Sequence, residues 1–247
     1  MNVLILTDFS TQAFHAANYA LNLSSGNSHF YVLHASNGEG TQVEESLLAL
    51  VNKLKEQPES KKHRFSALPF SDNLIYATRK AVIENHIDLI VMGASGKNTS
   101  NFQGLGGNTC SVAKKVKCPV LVVPNCDFKE WEKLYLPLDL RFPVNIEALQ
   151  LLEKLPVVKD AALNVWGFDL KDSGIEIDDF NLIDYKINQQ ILKHESDFLE
   201  SFWPEATSKA NLILFFARQL HITEKLLNRL STVETRKQDL PVLILHE

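Results

Sequence analysis

Half of the ten glycines in this 247-residue chain, Gly93, Gly96, Gly104, Gly106 and Gly107, fall within fifteen consecutive residues. They follow an apolar run, Asp88 to Met92, and precede a stretch of helical spacing at 107–116. Glycine permits a positive φ and lets a ligand come close to the main chain. A helix starting just behind such a loop offers unpaired N–H groups and a partial positive charge to an anion, usually phosphate. Asn108 and Thr109 add side-chain donors at that helix start. The chemistry that fits is recognition of a phosphate-bearing ligand, and the competing reading is a merely flexible connection. The fragment Gly96-Lys97-Asn98 is not a P-loop, because it lacks that motif's glycine spacing and the Ser or Thr after the lysine that would hold magnesium.

Other site chemistries find little support. The eight histidines form no His-x-x-x-His or HExxH pair, which argues against a metal site. Gly93-Ala94-Ser95-Gly96 lacks the spacing of a hydrolase nucleophile elbow. Cys110, Cys118 and Cys126 form an odd set without a CxxC and read as ordinary reduced thiols. The net charge is −5, and no Lys/Arg run is long enough to track a phosphate backbone, so nucleic acid is not an expected partner. Residues 1–125 carry 11 basic against 9 acidic side chains and residues 126–247 carry 14 against 21, giving +2 and −7. An anionic ligand should therefore choose the first half. Met1 to Thr7 has no basic n-region and ends at Asp8, so neither a signal peptide nor a membrane span is expected, and the predicted location is cytoplasmic.

The elements that must position the glycines emerge from periodicity. Near-continuous apolar runs at 2–7, 29–35, 63–68, 88–92 and 119–123 read as parallel strands buried on both faces. Helical spacing appears in Ala13, Ala16, Ala17, Ala20 and Leu21 behind the N-cap Ser10, and again at 41–56, 72–86 and 107–116. Such alternation predicts an open parallel sheet with helices on both faces and right-handed crossovers. The order then repeats. Leu134 to Asp139 copies Leu4 to Asp8, 162–167 stands for 29–34, 211–215 for 88–92, and 241–245 for 119–123. The expected division is 1–125, a linker at 126–133, and 134–247, read as old duplicates; 169–186 shows no clear helix. The second copy has lost the glycines: after Phe215 comes Phe216-Ala217-Arg218-Gln219-Leu220-His221. Asp139 survives there and is expected to cap a helix. Trp131, Trp166, Phe180, Phe198, Phe202 and Trp203 are expected in the core, with a partner surface as the alternative.

At the glycine loop the chain resembles the universal stress protein family. Gly93-Ala-Ser-Gly96, the nine residues Lys97 to Leu105, then Gly106 match the family's loop, and Cys118 to Val123 matches its last strand. Thr7-Asp8-Phe9-Ser10 resembles its first strand end, and the likeness covers residues 1–125 well. Two departures stand out: Gly107 replaces the usual Ser or Thr, and Leu6 a frequent proline. The resemblance implies two tandem Rossmann-like, adenine-nucleotide α-hydrolase-like domains of about five strands, the second degenerate. It further implies that Asp8, beside Thr7, approaches a ribose, and that main-chain groups near Ala35 meet the adenine edge. Met92 and Gly93 would line the cleft, and Gly96, Gly106, Gly107, Asn108 and Thr109 would hold phosphates, with Thr109 compensating for Gly107.

The expectation is thus a stress-response regulatory or sensing protein that holds ATP, ADP or AMP in its first domain, with or without magnesium. At most it would hydrolyse ATP slowly, because no general base stands beside the loop. The alternatives are a nucleotide-free scaffold and, more remotely, an adenylyl-transferring enzyme, for which no substrate motif is visible. Pairing of 119–123 with 241–245 would make the chain an intramolecular pseudo-dimer able to form homodimers, and the second domain would serve a protein partner.

Overall fold

A computed structural model describes residues 1–24, 26–36, 41–94, 107–142, 146–168, 186–217 and 240–246. The chain divides into two compact units, Met1–Phe128 and Lys129–Glu247.

In the first unit, strands β1 (Asn2–Leu6), β2 (His29–Ala35), β3 (Arg64–Phe70), β4 (Leu89–Gly93) and β5 (Val120–Val123) are ordered β3-β2-β1-β4-β5. The pairs are parallel, with Leu4 opposite both Tyr31 and Ile90, and Met92 opposite Val122. Val3, Leu4 and Ile5 are fully buried, as the unbroken apolar run requires of a central strand covered on both faces. Each such side chain contributes roughly 1.5–3 kcal/mol through burial.

Helix α1 (Thr11–Leu21) starts at Ser10, whose Oγ accepts from Ala13 N at 3.1 Å. Its buried alanines let it lie close against the sheet. It shares a face with α2 (Thr41–Lys55), where Lys53 Nζ sits 4.0 Å over the Phe14 ring. Helices α3 (Leu74–Glu84) and α4 (Gly107–Lys115) pack together, and Arg79 Nε donates to Lys115 O at 2.9 Å. Because the chain steps outward from β1 to β3 and then returns to β4 on the other side of β1, the sheet reverses direction between β1 and β4. Crevices at such reversals, beyond the strands' carboxyl ends, are where open α/β sheets bind ligands.

The second unit comprises β6 (Lys133–Asp139), β7 (Ala162–Phe168), β8 (Lys186–Leu192), β9 (Leu212–Phe216) and β10 (Val242–Leu245). Their order, β10-β9-β6-β7-β8, is again parallel and is the order of the first unit with each strand replaced by its counterpart. The counterpart of α1 is reduced to a 3-10 turn, Ile146–Leu149, and the four-residue α5, Gln150–Glu153. Helix α6 (Glu195–Lys209) carries Glu195 and Asp197 in its first turn, where they complement the helix dipole. Phe198, Phe202, Trp203, Trp131 and Trp166 are all buried, which corrects the idea of an aromatic partner surface; Phe180 lies outside the described residues.

Sequence periodicity missed β8 and α6. The strand is a polar edge strand, largely exposed, without an apolar run, and the helix has Pro204 in its interior. Among the described residues no helix is long and apolar enough to cross a membrane. Burial pushes the Cys118 thiol up to about 12, so it stays protonated at neutral pH.

Candidate nucleotide-binding site

The turn leaving β1 is fixed by its own side chains. Phe9 N donates to Thr7 Oγ1 at 3.0 Å, and Ser10 N donates to Asp8 Oδ1 at 3.0 Å. Thr7 N donates to Leu33 O at 2.9 Å, and Thr7 O accepts from His34 Nδ1 at 2.7 Å, so the turn is tied to β2. That last bond assigns the Nδ1 proton of His34, since a carbonyl can only accept. Asp8 is partly exposed, and one of its oxygens serves the turn that opens α1. Ala35 ends β2 opposite Phe70, one residue beyond His34.

On the other side of β1, Gly93 ends β4 opposite Val123. A Cβ on Gly93 would lie 2.9 Å from Gln12 Cγ and 3.3 Å from Gln12 O. Glycine is therefore required here by the first turn of α1, which crosses the strand end. Gln12 Nε2 donates to Val123 O at 2.9 Å, and Ala94 N donates to the same oxygen at 2.9 Å. Met92 is 6% exposed, so its side chain belongs to the core.

Thr109, in the first turn of α4, is buried, and its Oγ1 donates to Gly93 O at 3.2 Å. Gly107 and Asn108 are exposed, and a Cβ on Gly107 would meet open space. Gly96 and Gly106 lie outside the described residues.

The structure thus brings Thr7, Asp8, Ala35, Gly93 and Thr109 to the carboxyl ends of β1, β2 and β4. The N-termini of two helices, α1 through Gln12 and α4 through Thr109, both meet the end of β4. The first turn of neither helix contains an acidic residue, so the partial positive charge of each is uncancelled by its own side chains. Sequence reasoning missed Phe9, Gln12 and His34. Only their places, within one helical turn of Asp8 or next to Ala35, pointed to them.

In the second unit Asp139 is fully buried. Arg141 Nε and Nη2 reach its Oδ1 and Oδ2 at 2.7 and 2.6 Å, and Arg141 N donates to Oδ1 at 3.1 Å. A carboxylate without solvent contact needs such a cation to remain charged. The guanidinium also lies 4.8 Å over the Phe168 ring and 3.6 Å from Glu195. No group of three or more His, Cys, Asp or Glu suited to a metal occurs among the described residues.

Two open parallel-sheet α/β units, the first with its sheet reversal between β1 and β4, define a Rossmann-like fold. The profile of the Universal stress protein family matches residues 1–124, and the chain belongs to that family. Its fold is similar to that of a universal stress protein from Archaeoglobus fulgidus, at TM-score 0.58 and 13% identity over 100% of this chain and 96% of that one. A putative universal stress protein from Pseudomonas aeruginosa gives TM-score 0.60 and 14% identity, covering 99% and 92%. The cytoplasmic domain of a prokaryotic cation chloride cotransporter gives 0.57 and 12%, covering 99% and 94%. No curated protein matches the sequence.

Proposed function

We propose that the first unit binds one adenine nucleotide, ATP, ADP or AMP, with magnesium arriving on the nucleotide, and that the chain is a regulatory or sensing protein of the stress response. The observation that carries this reading is the meeting of two helix N-termini at the end of β4, beside Asp8 and next to the glycine-rich segment. Asp8 takes the ribose, main chain at Ala35 the adenine edge, and Gly93, Gly96, Gly106, Gly107, Asn108 and Thr109 surround the phosphates, with Thr7 and Met92 holding the strand ends in place. Chemistry beyond slow hydrolysis is not part of the proposal. The second unit binds no nucleotide, because Arg141 already satisfies its aspartate. It serves a protein partner in the cytoplasm.

A specific observation favours a nucleotide-free scaffold instead: Gly107 brings no hydroxyl, and the Thr109 proton is spent on Gly93 O. Mass spectrometry of nucleotide released from purified, denatured protein separates the two readings. Titration should give one ATP site per chain. Gly106→Val should weaken ATP binding by more than about tenfold in a folded protein, since the loss of even one charged hydrogen bond is worth that much. Gly107→Ser should strengthen it, since the added side chain meets open space. Two equivalent sites, or full affinity in Gly106→Val, overturns the reading.

A further inference from the structure

Phe9 adopts φ 60, a left-handed conformation that glycine, asparagine and aspartate tolerate and that is a genuine outlier for a bulky aromatic residue. Burial does not explain its retention. Phe9 is only half-buried, and the aromatic ring it meets, His34, is half-buried as well. The two ring centroids are 4.5 Å apart with planes inclined by 36°. The His34 ring is itself held by its Nδ1 bond to Thr7 O, the carbonyl just before Asp8. The turn therefore sustains backbone strain to place a phenyl ring, braced from behind by an imidazole, between the carboxyl ends of β1 and β2. Asp8 precedes Phe9 in the chain and Ala35 follows His34.

We infer that the Phe9–His34 pair is a stacking wall for the nucleobase, with Phe9 the contact and His34 the positioning residue that fixes it, so that this wall sets the preference for a ligand bearing an aromatic base. The inference rests on the nucleotide reading above and names a contact that the glycine loop does not supply. A flat π surface is sequence-tolerant toward bases but worthless toward bare phosphate chains, and base–aromatic stacking accounts for a substantial share of affinity wherever it occurs.

The test uses the full-length chain with two probes, ATP and inorganic tripolyphosphate, in isothermal titration. Phe9→Gly removes the ring and relieves the strained φ, so it should fold at least as well as the parent. Its ATP affinity should fall by about tenfold or more, the usual weight of one stacked base. Its tripolyphosphate affinity should stay within about twofold, well below the factor that a lost contact produces. Phe9→Tyr keeps the ring and should retain ATP affinity, and His34→Asn, whose amide can replace the Nδ1 donor but not the ring, should fall between. Unchanged ATP affinity in Phe9→Gly overturns the inference, as does an equal loss toward both probes, which would assign Phe9 to the shape of the phosphate site. A parent that binds both probes equally overturns the base contact alone. A parent that binds neither overturns the nucleotide reading and this inference together.

Discussion

Each unit carries an aspartate at the carboxyl end of its first strand, Asp139 as the last strand residue and Asp8 two residues past the last one. In both, Oδ1 accepts from the backbone N–H two residues on, at 3.0 Å for Asp8 and 3.1 Å for Asp139. The hydrogen bond is shared, but the backbone between differs, since Phe9 is left-handed at φ 60 and Leu140 is not, and the side chain two residues behind the aspartate differs as well. Behind Asp8 comes Ser10, which caps the eleven-residue α1 and leaves the carboxylate partly exposed at the sheet reversal. Behind Asp139 comes Arg141, whose guanidinium folds back over the carboxylate, rests on Phe168 and leaves Asp139 without solvent contact. The exchange of Ser10 for Arg141, together with the change of backbone at Phe9, separates an open strand end from one that is filled from within.

The largest effect that would break this comparison is expected on removing the arginine. Arg141→Ala strands a buried carboxylate, and breaking a buried pair typically costs about 3–5 kcal/mol. Because the Arg141 side chain is 31% exposed and water can replace it in part, the cost should be nearer ~2–3 kcal/mol. All three tryptophans, Trp131, Trp166 and Trp203, lie in the second unit, so urea unfolding followed by their fluorescence reads this unit selectively. The double variant Asp139→Asn/Arg141→Ala should recover part of the loss. A single variant as stable as the parent would mean that the pair does not hold the second unit's strand end.

A smaller effect sharpens the contrast between the glycines that remain. Gly93→Ala drives a Cβ against Gln12 Cγ at 2.9 Å and its backbone oxygen at 3.3 Å, and crowding of this kind costs about 1–3 kcal/mol. Gly167→Ala in the second unit meets side-chain atoms alone, Leu140 Cδ1 at 2.8 Å and Cγ at 3.1 Å, which shift more readily than the Gln12 backbone. Hydrogen exchange under mild denaturant should show peptides of residues 1–128 loosened by Gly93→Ala, and those of the second unit affected less by Gly167→Ala. Equal effects would show that the first strand end is no more tightly built than the second.

The parts of this arrangement legible in the sequence were those written in repeated apolar runs. The strands β1, β2, β4, β5, β6, β7, β9 and β10 are short buried runs, and the helix α1 comes after a capping serine, with alanines at helical spacing. What escaped has no local signature. Strand β8 is polar because an edge strand faces water, and α6 hides its pattern behind Pro204. The pairing of Asp139 with Arg141 was also invisible, since a surviving aspartate at a strand end reads alike whether it caps a helix, meets a ligand or is clamped. Gly93 was legible as a glycine that must be there, but the reason visible in the structure is the crossing of Gln12, which no spacing rule contains.

The last test builds the second unit's closure into the first. Ser10→Arg places a guanidinium two residues after Asp8, the position that Arg141 holds after Asp139, at a turn closed by the same Oδ1 hydrogen bond. The variant loses the Ser10 Oγ cap on Ala13 N, worth about 1 kcal/mol, and a partly exposed ion pair returns at most about 1 kcal/mol. The net change in stability should therefore be small, less than ~1 kcal/mol. Its effect on ligand should be larger, because an Asp8 engaged by arginine is withdrawn from a ribose hydroxyl. Ser10→Ala is the control: it loses the same cap, leaves the carboxylate untouched and should keep most of its ATP affinity. A Ser10→Arg chain that binds ATP as well as Ser10→Ala, or more tightly than the parent, would show that Asp8 is not a ligand contact. The difference between the two strand ends would then be one of packing alone.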